Sequence, residues 1–295
     1  MMGSSQTLRR LLLGSGMLAL AAILGQVATA MSQALDAPYS ADRPLRTPVR
    51  FDIPNAVSAD DFWYVWHNTF TPDGKTMYFM SAGGGTEVIM ETHFLSGEWS
   101  APEVAPFSGL YWMESPSISP DGLHFFFSKS RSPMGLDIMV MDRIETGWSE
   151  PRSVGASINA PGSSPCFATA AASGNLYFAS DREGGLKLFC SKWSDGEYGV
   201  PEKLSDAVNS DGASLEPAIA PDESFLIFAS PRAGGLGHMD LYISLKKDGA
   251  WTPARNWARG STPAPMTDAP AFRRTASTSS SPAAGALPID RLKSH

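Results

Sequence analysis

Apolar strands and polar turns follow one another in an order that the chain repeats four times. The clearest copy is SPSISPDGLHFFFSKSR at residues 115–131, where a short strand, a Pro-Asp-Gly turn and a nearly continuous apolar strand follow in sequence. The segments FTPDGKTMYFMS and IAPDESFLIFAS match it, and ASGNLYFASDREGG is a looser copy. Pro fixes φ, Asp bonds backbone N–H groups and Gly accepts a positive φ, so each copy predicts a tight turn between two strands.

A further strand and an aromatic residue complete each copy. The strands TEVIMET, LDIMVMD, LKLFCSK and MDLYISL are followed by GEWSAP, TGWSEP, DGEYGVP and DGAWTP. The aromatic residues of these segments are Trp99, Trp148, Tyr198 and Trp251, at spacings of 49, 50 and 53 residues. The proline behind each of them predicts an edge strand, because proline lacks a donor for the hydrogen-bond ladder.

The pattern predicts an all-β protein, a β-propeller built from four-stranded blades. The strand behind each turn is apolar throughout, as in LHFFFS, so we expect both of its faces to be buried. One such sheet cannot bury two faces alone, and radial stacking of several sheets solves that problem. We predict propeller repeats over 63–257, with blades at 63–108, 109–157, 158–208 and 209–257.

The repeated motif resembles the WD40-like β-propeller repeats of the TolB type, a family of mostly exported bacterial proteins. The resemblance rests on S-P-D-G, the aromatic strand behind it, S-x-R-x-G-G and D-I/L-Y, and it covers roughly residues 66–257. It implies the fold and export but no activity, because one fold hosts many functions. Two positions depart from the pattern: Asn175 stands where the turn expects Asp-Gly, and Glu223 replaces the turn glycine of the fourth copy.

The N-terminal segment predicts export from the cell. Arg9 and Arg10 precede the apolar run LLLGSGMLALAAIL, and ATA follows at residues 28–30. These are the three parts of a signal peptide, and the apolar run is too short to span a bilayer comfortably. We predict a signal peptide at 1–30 cleaved after Ala30, an extension at 31–62, and a periplasmic or secreted chain with no transmembrane span. An uncleaved anchor is the alternative, and the Sec and twin-arginine export routes both stay open.

The charge of the chain argues against nucleic acid as a partner. The formal net charge is −7, and cleavage after Ala30 removes two arginines and no acid, which leaves −9. An acidic surface repels a phosphate backbone, and no basic stripe is interleaved with aromatic residues. We expect a periplasmic or extracellular protein or glycan as the partner, and no cofactor.

The C-terminal segment at 258–295 has the Ser/Thr/Ala/Pro bias of a disordered tail. The linkers SVGASIN and KLSDAVN follow the second and third blades, so a fifth blade would begin with a similar linker after Asn256. Back-translation with two bases dropped at Asn256, and with permitted third bases, gives L-G-P-R-V-N and then P-A-D-G-L-Y-F-F-F. We interpret the tail as a frameshifted fifth blade; the alternative is a genuine disordered tail.

Some charged residues recur from blade to blade. Three arginines follow the apolar strand at similar places, namely Arg131, Arg182 and Arg232. They form either a ring of guanidinium groups for anionic ligands or structural contacts with loop carbonyls, and their repetition favours the structural role. Three turn aspartates recur in the same way, namely Asp73, Asp121 and Asp222. We interpret these aspartates as turn residues without a catalytic role.

Other candidates are not repeated. Glu114 and Glu216 precede the first strands of their blades near the expected funnel mouth, as an acid/base pair or as solvated rim charges. His67 in DFWYVWHN and Trp112 in GLYWMES depart from the repeat, as a carbohydrate-stacking face or as core packing. Together with the three arginines, these four residues are the candidate ligand-binding set, and no residue is predicted to be catalytic.

Histidine and cysteine spacing predicts no metal site, because neither H-E-x-x-H nor C-x-x-C occurs. Cys166 and Cys190 fall on the first and third strands of the third blade. One strand between them puts their Cα atoms about 9–10 Å apart, whereas a disulfide needs less than about 7 Å. We predict two free, buried thiols.

The sequence therefore predicts an exported propeller that binds a protein or a glycan without catalysis of its own. The alternative is a periplasmic glycan-processing hydrolase or lyase with its site in the propeller funnel. No S-x-D-x-G-x-x-W box supports a sialidase-type propeller, and no G-x-S-x-G elbow supports an appended hydrolase. A third interpretation is a degraded reading frame without a function.

Overall fold

A computed structural model describes residues 64–83, 86–109, 112–131, 135–210, 212–235 and 238–257. The predicted signal peptide (1–30), the extension (31–62) and the tail (258–295) lie outside the described residues, so the expectations about them stay predictions. Within the described ranges, no helix is long and apolar enough to cross a membrane.

The strands form one main sheet for each repeat of the sequence, and in the third repeat β14 and β15 pair as a separate two-stranded sheet. The first blade contains β1 (Tyr64–Phe70), β2 (Thr76–Gly83), β3 (Thr86–Leu95), β4 (Glu98–Trp99) and β5 (Glu103–Val104). The second contains β6 (Met113–Ile118), β7 (His124–Ser130), β8 (Leu136–Ile144), β9 (Gly147–Trp148) and β10 (Arg152–Ser153). The third contains β11 (Cys166–Ala170), β12 (Leu176–Ser180), β13 (Lys187–Ser191), β14 (Trp193–Ser194), β15 (Glu197–Tyr198) and β16 (Glu202–Lys203). The fourth contains β17 (Leu215–Ile219), β18 (Phe225–Ser230), β19 (Asp240–Lys247), β20 (Ala250–Trp251) and β21 (Arg255–Asn256).

The predicted fold class is confirmed: the structure is all-β with a four-blade propeller arrangement. Within each sheet the strands pair antiparallel in chain order. The first strands of successive blades, β1, β6, β11 and β17, contact one another, so they are the innermost strands. The outermost strands are the two-residue segments β5, β10, β16 and β21.

The predicted position of the edge strand was wrong by a few residues. The repeated aromatic residues lie on short hairpins, β3–β4, β8–β9, β14–β15 and β19–β20. The edge strand pairs only after the following proline, as at Arg152 opposite Val140. The reason is that the third strand continues past its sheet and folds back through a glycine turn before the chain returns to the edge.

Burial of the second strand follows the prediction for an apolar run. Phe125, Phe126 and Phe127 of β7 are all fully buried. Phe125 and Phe127 pack in the cluster between the first and second blades, and Phe126 packs in the cluster between the second and third blades. Since neighbouring side chains of a strand point to opposite faces, a continuous apolar run is what a strand between two blades requires.

Asparagines at the ends of the linkers attach each linker to the blade before it. The amide of Asn209 accepts a hydrogen bond from Leu188 N and donates to the carbonyl oxygens of Leu188 and Leu204. Asn159 makes the equivalent pair of hydrogen bonds with Ile138 of the second blade. A side-chain amide thus continues the ladder of the third strand beyond the two-residue edge strand.

The cysteines lie as the strand order predicts. Cys166 is on β11 and Cys190 is on β13, with β12 between them, and both thiols are free. Cys166 is buried, whereas Cys190 is half-buried rather than fully buried as expected.

Candidate functional site at the propeller axis

Each innermost strand contains a bulge at the same position. The residues at these bulges have positive φ angles and none is glycine, namely His67 (48°), Ser115 (57°), Phe167 (56°) and Glu216 (50°). The strand register shifts at each of them. Each also lies four residues before the first residue of the following turn. The four blades therefore present one equivalent backbone position to the axis.

This backbone conformation is costly for residues other than glycine. A side chain in the left-handed region is destabilised by about 1–2 kcal/mol, because Cβ approaches the following carbonyl oxygen. Glycine would adopt the same bulge without that strain. The chain instead has four different side chains here, so the bulge positions carry chemistry that glycine lacks.

The other three bulge residues converge around His67. Its Nε2 lies 3.4 Å from Glu216 Oε1, and its Nδ1 lies 3.5 Å from Ser115 Oγ. The ring of Phe167 meets the imidazole edge-on, with 5.3 Å between the ring centroids. The contact between His67 and Glu216 links the first blade to the fourth, and the contact with Phe167 joins the first blade to the third.

Two further glutamates face the same imidazole. Burial raises the pKa of Glu114, the nearby His67 lowers it, and Glu87 raises it again. Burial also raises the pKa of Glu87, against a smaller lowering by His67. Glu87 Oε2 is buried without a hydrogen-bond partner among the described residues. We use the name axial cluster for His67, Glu87, Glu114, Ser115, Phe167 and Glu216.

Three of the predicted candidates belong to the axial cluster, namely His67, Glu114 and Glu216. Contrary to expectation, the glutamates lie within β6 and β17 rather than before them, and His67 lies within β1. These three strands begin before their polar residues, whereas the polar residues suggested a later start. The bulge explains the difference, because it allows a polar side chain to point away from the sheet. Trp112 directly precedes β6 with 54% of its surface exposed, and a hydrogen bond from its side chain lowers the pKa of Glu114.

Sequence reasoning did not select Glu87, Ser115 or Phe167. Ser115 and Phe167 could have been found by aligning the four copies on their turns, since both lie at the spacing of His67 and Glu216. Glu87 has no such signal, because it follows residues 84–85 in a hairpin whose sequence differs between blades.

The three candidate arginines are held in contacts of the blades themselves. The Arg182 guanidinium donates to the carbonyl oxygens of Ser157 and Ile158. Arg232 donates to the carbonyl oxygen of Val208 and lies over two aromatic rings of its own blade.

Arg131 differs in its partners. It pairs with Asp137 at 2.7 Å and donates to the carbonyl oxygen of Ser163. All three side chains are half-buried, and their contacts support the structural role.

The turn aspartates bond their own turns. Asp73 accepts hydrogen bonds from Thr71 Oγ1 and Lys75 N, and Asp121 accepts from Ser119 Oγ and Leu123 N. Asp222 accepts hydrogen bonds from the backbone N–H and from the hydroxyl group of Ser224. None of these aspartates belongs to the axial cluster.

The axial cluster has the composition of a site for a positively charged group. Three carboxyl groups surround one imidazole, and Phe167 adds an aromatic ring. Within the described ranges, no group of three or more His, Cys, Asp or Glu side chains has the arrangement of a metal site. The carboxyl groups of the cluster offer hydrogen-bond acceptors and negative charge.

Comparison with known proteins gives similar structures but no matching sequence family. No protein-family model matches the chain, and no curated protein matches it significantly. The chain is similar to TolB from Acinetobacter baumannii, with a TM-score of 0.47 and 19% identity over 64% of this chain and 43% of that one. It is similar to a putative TolB from Agrobacterium tumefaciens, with a TM-score of 0.44 and 19% identity over 64% of this chain and 63% of that one.

A puromycin-hydrolyzing peptidase from Mycobacterium tuberculosis is similar as well, with a TM-score of 0.43 and 17% identity over 64% of this chain and 31% of that one. The chain thus spans less than two thirds of the length of each of these proteins. The propeller assignment rests on the four sheets of this chain, and its function has to be argued from its own residues.

Proposed function

We propose that this chain is an exported, WD40-like β-propeller of the TolB type that binds a protein partner through the axial cluster. The observation that supports this function is the convergence of four different side chains from four equivalent, strained bulges. A purely architectural position would repeat its residue from blade to blade, as the turn aspartates do. Strained non-glycine residues gather at functional sites more than elsewhere.

The charge of the axial cluster indicates which group of the partner it binds. Glu87, Glu114 and Glu216 outnumber His67, and the mature chain as a whole is acidic. An ammonium or guanidinium group is attracted to such a cluster, and the face of an aromatic ring such as Phe167 adds a cation–π contact. The proposed ligand is therefore a lysine or arginine side chain, or an N-terminal amine, of a periplasmic or extracellular polypeptide. The signal-peptide pattern at 1–30 supports this location.

Calorimetric titration of the purified chain with tetra-lysine amide tests this function. We expect saturable binding of the cationic probe and no binding of the uncharged control, tetra-serine amide. Glu216→Gln should weaken binding by about fivefold or more, because one carboxylate of the cluster is lost. Glu145→Gln removes an exposed carboxylate outside the cluster and should change the affinity less than twofold. Absence of binding, or equal effects of the two substitutions, would overturn the proposal.

A second candidate function is the processing of a glycan by acid/base catalysis. The observation that favours it is that burial raises the pKa of Glu114 beside His67. A carboxyl group that keeps its proton to higher pH is suited to act as a general acid. Release of nitrophenol from a panel of nitrophenyl glycosides, lost in Glu114→Gln, would support catalysis. No turnover by the wild-type chain across the panel would leave binding as the function.

A further inference from the structure

A groove between the second and third blades shares no residue with the axial cluster. It has a volume of about 490 Å³ and lies at the turn end of the inner strands. Its lining includes Asp121, His124, Arg152, Gly174, Trp193 and Tyr198. It combines one large aromatic surface with several polar side chains, which is the usual composition of a small-ligand site.

Trp193 breaks the repeat at this groove. In the other three blades, the residues opposite the hairpin tryptophans are Phe94, Arg143 and Lys246. In the third blade, the equivalent pair is Trp193 opposite Tyr198, on a hairpin that forms its own two-stranded sheet. Trp193 thus lies at the position of Phe94, Arg143 and Lys246, and it keeps 41% of its surface exposed.

The exposed indole of Trp193 is held firmly in place. A Cβ atom at Gly174 would lie 3.0 Å from its ring, so the absence of a side chain at Gly174 lets the indole lie against the turn. Tyr198 packs edge-on at a centroid distance of 4.6 Å. The backbone N–H of Trp193 donates to Asn175 Oδ1, and the side-chain amide of Asn175 donates to Glu223 Oε1. Asn175 and Glu223, the two residues that depart from the turn pattern, thus help to fix the backbone position of Trp193.

The polar wall of the groove offers both hydrogen-bond donors and acceptors. Arg152 makes two-pronged hydrogen bonds with the carboxylate of Asp142, and His124 Nδ1 lies 2.9 Å from the same carboxylate. The side chains of Arg152 and His124 keep 52% and 42% of their surface exposed. The charge of Arg152 is thus paired with Asp142, and Asp121 adds further acceptors to the wall. A charged ligand gains little from such a wall, whereas a ligand with several hydroxyl groups can use both kinds of partner.

We propose that this groove binds a neutral sugar ring of a glycan. The apolar face of the sugar stacks on Trp193, and its hydroxyl groups exchange hydrogen bonds with Arg152, His124 and Asp121. Because the indole is fixed before binding, little side-chain freedom is lost when the sugar binds. The chain then joins two binding surfaces, one for a cationic group of a protein and one for a saccharide.

Saturation-transfer NMR with the purified chain and three neutral tetrasaccharides, namely chitotetraose, cellotetraose and maltotetraose, tests the proposal. We expect saturation transfer to at least one of them. In Trp193→Ala the dissociation constant for that saccharide should rise about tenfold or more. Trp257→Ala is the matched control, because it removes an exposed tryptophan outside both the groove and the axial cluster, and it should leave the affinity unchanged. Trp193→Phe keeps an aromatic ring on the hairpin and should bind with intermediate affinity.

The outcomes separate this site from the axial one. No transfer to any of the three tetrasaccharides at about 10 mM, a concentration above the dissociation constant of even a weak millimolar complex, would overturn the groove proposal. An unchanged affinity in folded Trp193→Ala would overturn it as well. If Trp193→Ala does not fold, an unchanged affinity in Trp193→Phe would overturn the proposal instead. Loss of saccharide binding in Trp112→Ala would move the saccharide to the axial cluster and contradict the groove.

Discussion

The side chain of Asn175 donates a hydrogen bond of 2.7 Å to Glu223 Oε1, so that two residues which break the turn pattern of adjacent blades bind each other. Glu223 has a φ of 59° in the place of a turn glycine. Its carboxylate also accepts hydrogen bonds from Ser173, Tyr177 and Lys246. The strain of a non-glycine residue in this turn is thus offset by a network between the third and fourth blades.

The network predicts how stability depends on pH. Burial raises the pKa of Glu223, but the hydrogen bonds from Lys246, Ser173, Tyr177 and Asn175 outweigh it and lower the pKa to about 2. A lowered pKa in the folded state means stability that is present above the unfolded value of about 4.5 and is lost as pH falls toward 2. The contribution is on the order of 3 kcal/mol at neutral pH.

Glu223→Gln should remove this contribution while keeping the shape of the side chain. Urea unfolding is measured at several pH values from about 7 down to about 2, which covers the titration of Glu223. As pH falls, the free energy of unfolding should decrease less for the variant than for the wild-type chain. The other low-pKa aspartates titrate in both chains, so the difference between the two curves isolates Glu223. Parallel curves would contradict the assignment.

Substitution of the linker asparagines should destabilise the propeller unequally. Asn209 is buried, with 5% of its surface exposed, and makes three hydrogen bonds to backbone groups. Asn209→Ala leaves those groups unpaired and should lower the free energy of unfolding by about 2–4 kcal/mol. Asn159→Ala should lower it less, because Asn159 is only half-buried and water can replace part of its amide. Equal losses in denaturant titrations would show that burial does not govern the effect.

The arginines should affect stability rather than ligand binding. The Arg232 guanidinium lies 4.6 Å from the ring centroid of Tyr242 and donates to Val208 at 2.7 Å. Both Arg232→Ala and Arg232→Lys should lower the free energy of unfolding by about 1–3 kcal/mol, since lysine cannot stack a planar group. Binding of tetra-lysine amide should be unchanged in both variants. A folded Arg232→Ala with normal stability and lost binding would restore the ligand-binding interpretation.

The two thiols should stay reduced and react slowly. Burial raises the pKa of Cys166, and nearby acids, Glu114 first, raise it further. Burial also raises the pKa of Cys190, to about 11. The thiolate is the reactive form, so Ellman's reagent at mildly alkaline pH should label both cysteines slowly in native protein and rapidly in denaturant. A disulfide in the native chain, detected by mass mapping, would contradict the strand order of the third blade.

The fold could be predicted because each blade has the same physical requirements. A strand between two neighbours must be apolar on both faces, which Phe125–Phe127 display directly in the sequence. Pro, Asp and Gly indicate the tight turns in the sequence. Gly122, for example, has the expected positive φ, at 75°. The hairpin at the end of the third strand was missed, because the same aromatic-proline signal fits an edge strand.

The candidate site could be predicted only in part. His67 and Glu216 attracted notice as polar residues outside the repeat, but nothing in their identity indicates a left-handed bulge, since glycine is the usual residue there. Ser115 and Phe167 resemble ordinary strand residues, and only the spacing from the turn relates them to His67. The role of Trp193 depends on contacts between blades, such as that with Gly174, which no single copy of the repeat contains.

The central claim is that the axial cluster binds a cationic group, and carbodiimide coupling of tetra-lysine amide to the purified chain tests it most directly. Carbodiimide activates a carboxylate, and an amine held beside it forms an amide that peptide mapping by mass spectrometry locates. We predict amide formation first at Glu216, ahead of the equally accessible Glu98, Glu145 and Glu197, which are exposed outside the cluster. Labelling spread over these exposed glutamates, with Glu216 unmodified, would contradict the account.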